Sequence, residues 1–268
     1  MDKKTKESRE QDERFEKRVK AFVYIILRVA VVGVMIAQIY NQNWNNVFLC
    51  VLTLVLFMIP TFVDKQLHIE LPTTLEVIIV IFIFSAEILG EIQEYYLIFG
   101  HWDAVLHTIN GFLMAAIGFS LIDILNRNEN VTFNLSPAFV AVFAFCFSMT
   151  IGVLWEFYEF FMDMMFKTDM QKDTWLPWVS SVFLNPDGAN VAVAWDINRV
   201  VINGQEWPGY IDIGLIDTMS DLFVNFVGAV VFSIFGLIYI KNRKEDSFVT
   251  RFMPRLRRKR ASDEENIE

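Results

Sequence analysis

Six stretches of this chain, 21–40, 46–63, 75–99, 103–125, 137–166 and 216–240, are apolar enough and long enough to cross about 30 Å of hydrocarbon. Hydrocarbon offers a peptide group no hydrogen bond, so a spanning segment must satisfy its own backbone, and a helix does so within one segment. The sequence therefore predicts an all-α membrane protein, a six-transmembrane-helix bundle with one long extracytoplasmic loop at about 167–214. A hydrophobic content of 54%, with 26 Phe and a mean hydropathy of +0.38, excludes an ordinary soluble enzyme. Residues 1–20 carry mixed charge and 241–268 begin basic and end acidic, so both ends are expected to be solvated tails around a membrane domain at 21–240. The basic stretch Arg251 to Arg260 adjoins a membrane segment, which points to anionic headgroups and orientation rather than nucleic acid. Cys50 and Cys146 fall at different depths and do not form a disulfide framework. The first apolar run is too long for a signal peptide and lacks a small-x-small cleavage site, so it reads as a retained helix.

Basic residues set the orientation. Lys3 to Lys20 precede the first run, Lys65 and Arg127 fall in the second and fourth connections, and a basic cluster follows the sixth. These are alternate sides of the membrane, so the positive-inside rule places both termini in the cytoplasm. Trp44, Trp102, Trp155, Trp175, Trp178, Trp195 and Trp207 all fall on or near the opposite side, where interfacial tryptophan collects. In the outer loop, Trp175, Pro177 and Trp178 suit an amphipathic or re-entrant piece on the membrane surface. The turn signal Asn185-Pro186-Asp187-Gly188 follows, and Val191 to Trp195 with Arg199 to Ile202 resembles a short β-hairpin.

Nine carboxylates sit inside or at the ends of the apolar runs: Glu87, Glu91, Glu94, Asp103, Glu156, Glu159, Asp163, Asp217 and Asp221. All nine fall toward the outer side under this topology. A charge at the bilayer centre costs roughly 3 kcal/mol or more, so several of one sign on neighbouring helices point to a site that binds cations or protons. At about 1.5 Å per residue, Glu91, His107, Glu159 and Asp221 share one level, about a turn below the outer boundary. Glu94, Asp103, Asp163 and Asp217 lie nearer water, and Glu87, Glu156 and Asn225 lie deeper.

Spacing gives each helix a polar face. Glu87, Glu91 and Glu94 follow i, i+4, i+7, and Asp103 and His107 follow i, i+4 above Gly111, Ala115 and Gly118. Gly152, Glu156, Glu159 and Asp163 form the fifth helix's stripe, and Asp217, Asp221, Asn225 and Gly228 the sixth's. Carboxylates gathered with an imidazole must bind a metal, share protons or face water. That donor set suits a divalent Zn, Mn or Fe ion, with His107, Glu159 and Asp221 as ligands and Glu156 or Glu91 as general base. Asp103, Asp217, Asn225, Glu87, Glu94 and Asp163 are supporting polar residues, some of them solvated helix ends, and Asp103 and Asp217 also favour the N-termini of their helices. Glu76 and Asp123, near the cytoplasmic boundary, read as structural, and Glu76→Gln is expected to be almost silent.

The elements Asp103-xxx-His107-xxx-Gly111-Phe112, Trp155-Glu156-xx-Glu159 and Asp217-Thr218-xx-Asp221-xxx-Asn225-xx-Gly228-Ala229 resemble the YjdF-like family of uncharacterised bacterial membrane proteins. A fainter similarity extends to VanZ-like membrane proteins, which have Gln where this chain has Glu159. The resemblance implies a bacterial cytoplasmic-membrane protein and, through the VanZ-like side, a link to glycopeptide resistance and the cell envelope.

Three functions fit these residues. One is metal-dependent processing of an envelope amphiphile or lipid-linked substrate at the outer leaflet, although HExxH, GxSxG and phosphate-binding glycine loops are absent. A second is a proton- or cation-coupled transporter, against which stands the lack of an inverted repeat and of a polar path through the inner halves of the helices. The third is a non-catalytic envelope factor whose polar cluster locks helix packing.

Overall fold

The computed structural model describes residues 3–66, 69–126, 135–242 and 247–256. Arg127 and the charged end from 257 onward lie outside these. Among the described residues, five helices are long and apolar enough to cross a membrane: Arg14–Tyr40, Trp44–Gln66, Trp102–Asn126, Pro137–Phe166 and Leu215–Asn242. The chain divides into two units, Met1–Met149 with Val224–Glu268, and Thr150–Phe223.

In the first unit, α1 (Lys3–Tyr40) begins well before the apolar run. The expected tail at 1–20 is thus largely helical, because charged residues with high helix propensity continue the winding past the end of the hydrocarbon-like sequence. α2 (Trp44–Leu56) and α3 (Ile59–Gln66) make up one apolar stretch, interrupted at Phe57 and Met58. Pro60 explains the interruption, since its ring clashes with a carbonyl one turn earlier and it offers no N–H.

The third apolar run departs most from expectation. α4 (Thr73–Phe84) has only 12 residues and gives way to a π-helical segment, Ser85–Ile92. There the hydrogen bonds span five residues, as in Gln93 N–H to the Ile88 carbonyl at 3.0 Å. Glu94 then adopts a left-handed backbone with φ 59° before the short α5 (Tyr95–Ile98). The α-helical stripe expected for Glu87, Glu91 and Glu94 is therefore not formed. A wider π turn rotates successive side chains differently, and the left-handed residue ends the helix at Glu94.

α6 (Trp102–Asn126), the first part of α7 (Pro137–Phe166) and the later part of α8 (Leu215–Asn242) form one core of this unit. Ala115, Ala116, Phe119, Val140, Ala144, Ala229 and Phe232 are its buried members, with Val249, Phe252 and Met253 from the segment after α8. The expected C-terminal tail thus folds back as a 3-10 turn, Phe248–Phe252, because its apolar side chains fill the core. Ile69 and Glu70 pair antiparallel with Leu256 and Arg255. A second core joins Tyr24 and Val31 of α1 to Cys50, Phe57, Val80, Ile88 and Ile92. Near it, Glu76 is 5% exposed, accepts the Tyr24 hydroxyl at 2.9 Å and pairs with Lys20. Its structural role is therefore more substantial than a silent boundary residue would have.

Small residues make the α6–α8 contact. A Cβ on Gly228 would overlap the Thr108 carbonyl oxygen, and one on Gly111 the Asn225 carbonyl oxygen. Between helices already surrounded by hydrocarbon, such close backbone approach supplies the packing that the hydrophobic effect does not.

The second unit contains the C-terminal part of α7, the start of α8 and the segment between them. The segment holds six short strands in three antiparallel pairs. β1 (Trp175–Leu176) pairs with β6 (Tyr210–Ile211), β2 (Trp178–Ser181) with β3 (Val193–Asp196), and β4 (Val200–Ile202) with β5 (Gln205–Trp207). The expected pairing of 191–195 with 199–202 is replaced by two hairpins. One closes over Asn185 to Gly188; the other turns at Asn203 and Gly204, whose φ values of 52° and 82° are those a two-residue primed turn requires. Trp175 and Trp207 stack with centroids 5.2 Å apart.

Gly228→Ala should lower stability by about 1–3 kcal/mol, because an inserted methyl meets backbone that cannot rotate away. Gly33→Ala, with open space around it, should be neutral or slightly stabilising. Thermal unfolding of the two variants in detergent micelles measures the contrast.

Candidate functional site

In the first unit, the i, i+4 spacing on α6 places His107 Nε2 3.5 Å from Asp103 Oδ1. That distance is long for a hydrogen bond, so the carboxylate orients the ring electrostatically. One turn further along α6, Asn110 donates to the Asn225 side-chain oxygen at 3.3 Å, and Asn225 contacts the Met149 sulfur at 3.6 Å. The Ser148 hydroxyl donates to the Gly111 carbonyl at 2.7 Å. Together these groups make a polar layer on α6, α7 and α8 directly beyond His107 along α6. Sequence reasoning found Asn225 but missed Asn110 and Ser148. Both carried a signal: Asn110 is three residues after His107, and Ser148 is two turns before Glu156 on the stripe through Gly152.

Beside this layer, a cavity of about 480 Å³ opens between α4, the π segment, α6 and α8. Ile78, Phe82, Leu106, Phe112, Val231 and Phe252 are among its walls. Its one hydroxyl on α6, Thr108, is already bonded to the Ala104 carbonyl at 2.7 Å. The cavity therefore suits hydrocarbon better than water.

In the second unit, Glu156, Glu159 and Asp221 are 3%, 8% and 3% exposed. Trp155 donates its indole N–H to Glu159 Oε1 at 2.9 Å, one helical turn away. Asp163 and Asp217 serve the loop. Asp163 accepts the Met170 and Gln171 amides at 2.7 and 2.8 Å and the Thr168 hydroxyl at 2.7 Å, while Asp217 accepts the Lys172 amide at 2.7 Å. Asp212, which the sequence reading did not single out, is the side-chain cap of α8: it accepts the Ile216 amide at 2.8 Å and also those of Thr174 and Gly214. Burial, then the nearby carboxylates of Asp169, Asp212 and Asp163, push the Asp173 carboxyl above the usual aspartate range.

Of the third-run glutamates, Glu87 is half-buried, while Glu91 and Glu94 are exposed. Asp123 is buried near the far end of α6.

Residues 19–242 match the family described as predicted membrane protein (DUF2238). The chain belongs to that family. Membership is consistent with the YjdF-like resemblance, whereas a similarity to VanZ-like proteins is not shown. No curated protein and no solved structure matches the chain. Family and fold together make this a multi-pass membrane protein.

Replacing Asp212 by Ala removes the acceptor of three backbone amides. The loss should be about 1–3 kcal/mol of local stability, read as faster amide exchange and protease cleavage between residues 167 and 214. Asp187→Ala, at an exposed turn, should leave both unchanged.

Proposed function

We propose that His107, Glu159 and Asp221 hold a divalent cation of the Zn, Mn or Fe class, and that the protein uses it to process an amphiphilic, lipid-linked envelope substrate at the outer leaflet of a bacterial cytoplasmic membrane. The observation that carries this reading is the burial of one imidazole and three carboxylates, Glu156 included, within helices apolar enough to cross a membrane. Keeping ionisable side chains there is costly without a cation or a shared proton to offset it. The donor types also fit, since imidazole and carboxylate suit these metals and no thiolate is near in sequence.

Each residue has its own task. Asp103 orients His107, and the Trp155 indole fixes one oxygen of Glu159, as the supporting partners of ligands do. Glu156, deeper and dry, is the group to accept a proton from an attacking water, and Glu91 is the other candidate. A bound cation would supply Lewis acidity to the substrate. The apolar cavity beside Leu106 and Thr108 supports a substrate with a hydrocarbon chain.

Metal analysis of purified protein tests the site. Wild type should retain about one cation per chain, and Asp221→Asn or Glu159→Gln should weaken retention by more than the roughly 10- to 100-fold seen when only a supporting partner is lost. Absence of stoichiometric cation from metal-replete wild type, or full function in both isosteric variants, would overturn the reading and favour a structural cluster or a proton-coupled transporter.

We further propose that the run from Thr73 to Ile98 is the sixth crossing, with both termini cytoplasmic. The antiparallel pairing of Ile69 and Glu70 with Leu256 and Arg255 supports it, since a connection after the second span and the segment after the last meet at one membrane face. A reporter inserted after Asp187 should then be extracytoplasmic, while one at the C-terminus should not. Five crossings would put the two termini on opposite sides.

A further inference from the structure

In the first unit, α1 carries a row of charged and aromatic side chains where its apolar run begins. Lys17, Lys20, Tyr24 and Arg28 recur at i, i+3, i+7 and i+11, one helical face. With Thr61 and Glu76 they wall a recess of about 390 Å³. Within it, Glu76 is committed: it accepts the Tyr24 hydroxyl at 2.9 Å and pairs with Lys20. One carboxylate thus offsets one of three cations. Among the described residues, neither Lys17 nor Arg28 has a carboxylate within ion-pairing distance.

Arg28 makes the recess more than a solvated face. Its Cα lies about 12 Å beyond that of Lys20 along the helix, inside the stretch from Arg14 to Tyr40 that is apolar enough to span a membrane. The guanidinium is folded back over the Tyr24 ring, 5.3 Å from its centroid, toward the end of the span where the lysines are. This is the direction a snorkelling cation takes. A cation held there gains from an anion that comes to meet it, and the molecules at that level of a bilayer are lipids.

We propose that this recess binds the phosphate headgroup of an anionic phospholipid, with Lys17 and Arg28 bracketing the phosphate and the Lys20–Glu76–Tyr24 set forming a neutral floor. Guanidinium and ammonium are the groups that recognise phosphate, and basic recesses between spans are a known form of headgroup site. The net charge of the recess is positive, so a zwitterionic headgroup gains less. The proposal is independent of the acidic site and its chemistry.

The test uses the full chain in neutral detergent, titrated with phosphatidylglycerol, phosphatidylcholine or inorganic phosphate, with bound lipid counted by native mass spectrometry and stability followed by thermal unfolding. Phosphatidylglycerol should bind saturably and raise the unfolding temperature; phosphatidylcholine should do neither. The double variant Lys17→Gln, Arg28→Gln should bind phosphatidylglycerol about 30-fold more weakly, the loss of two cations at a membrane surface. Both side chains are exposed, so the variant should fold, and Arg28→Lys should restore part of the affinity. Lys65→Gln should change nothing. Equal binding of the two lipids, undiminished affinity in the double variant, or displacement of the lipid by inorganic phosphate at equal concentration would overturn the assignment.

Discussion

Close contact between α6 and α8 in the first unit depends on two missing side chains. At Gly111 and Gly228 the backbone of one helix meets the carbonyl of the other, leaving no volume for a methyl group. Lipid tails are as apolar as leucine, so helices in a bilayer gain little from burying aliphatic surface against each other. Contact between backbones, with Asn110 hydrogen bonded to Asn225 across it and Ser148 of α7 bonded to Gly111 beside it, supplies the attraction instead. The apolar packing of Phe112, Phe119 and Phe232 follows from that approach, with ring centroids of Phe112 and Phe232 5.0 Å apart.

The polar residues in and beside the membrane helices perform three different kinds of work. Asp163, Asp212 and Asp217 bind backbone amides of the loop and determine how it leaves α7 and enters α8. Asp163 and Asp217 are partly exposed and Asp212 is buried, and in each the charge-assisted hydrogen bonds from amides offset the cost of holding a carboxylate. His107, Glu156, Glu159 and Asp221 are deeper in the chain's apolar stretches and nearly inaccessible. The proposed cation site rests on this second group. Glu76 illustrates a third arrangement, a carboxylate whose charge is spent on neighbours from α1.

The third apolar run shows how far a repeating pattern carries. Its composition calls for a span, and the helical stretch does run from Thr73 to Ile92. Yet the i, i+4, i+7 spacing of Glu87, Glu91 and Glu94 presumes 3.6 residues per turn, and the change to π winding after Phe84 breaks that assumption. No residue between Ser85 and Ile92 announces the change. The Trp102 indole donating to the Ser85 carbonyl at 3.3 Å is a contact across 17 residues that local propensity does not contain.

Much was legible in the residues alone. Long apolar runs without an alternative partner for their amides determine a helical membrane protein, and the spacing of Asp103 with His107 already places them on one face of α6. The loop was legible only in part: Asn203-Gly204 is a strong hairpin signal that pairs 200–202 with 205–207, but the partner of Val193–Asp196 lies across an 11-residue connection, 182–192, and required the fold. Tertiary structure alone decided the π segment, the return of Val249, Phe252 and Met253 into the core, the commitment of Glu76 to Lys20 and Tyr24, and the capping role of Asp212. The core return and the Glu76 contacts join residues far apart in the chain, as does the Thr174 amide on Asp212. Periodicity records which way a side chain points along its own element, and it carries no information about what the rest of the chain brings to meet it.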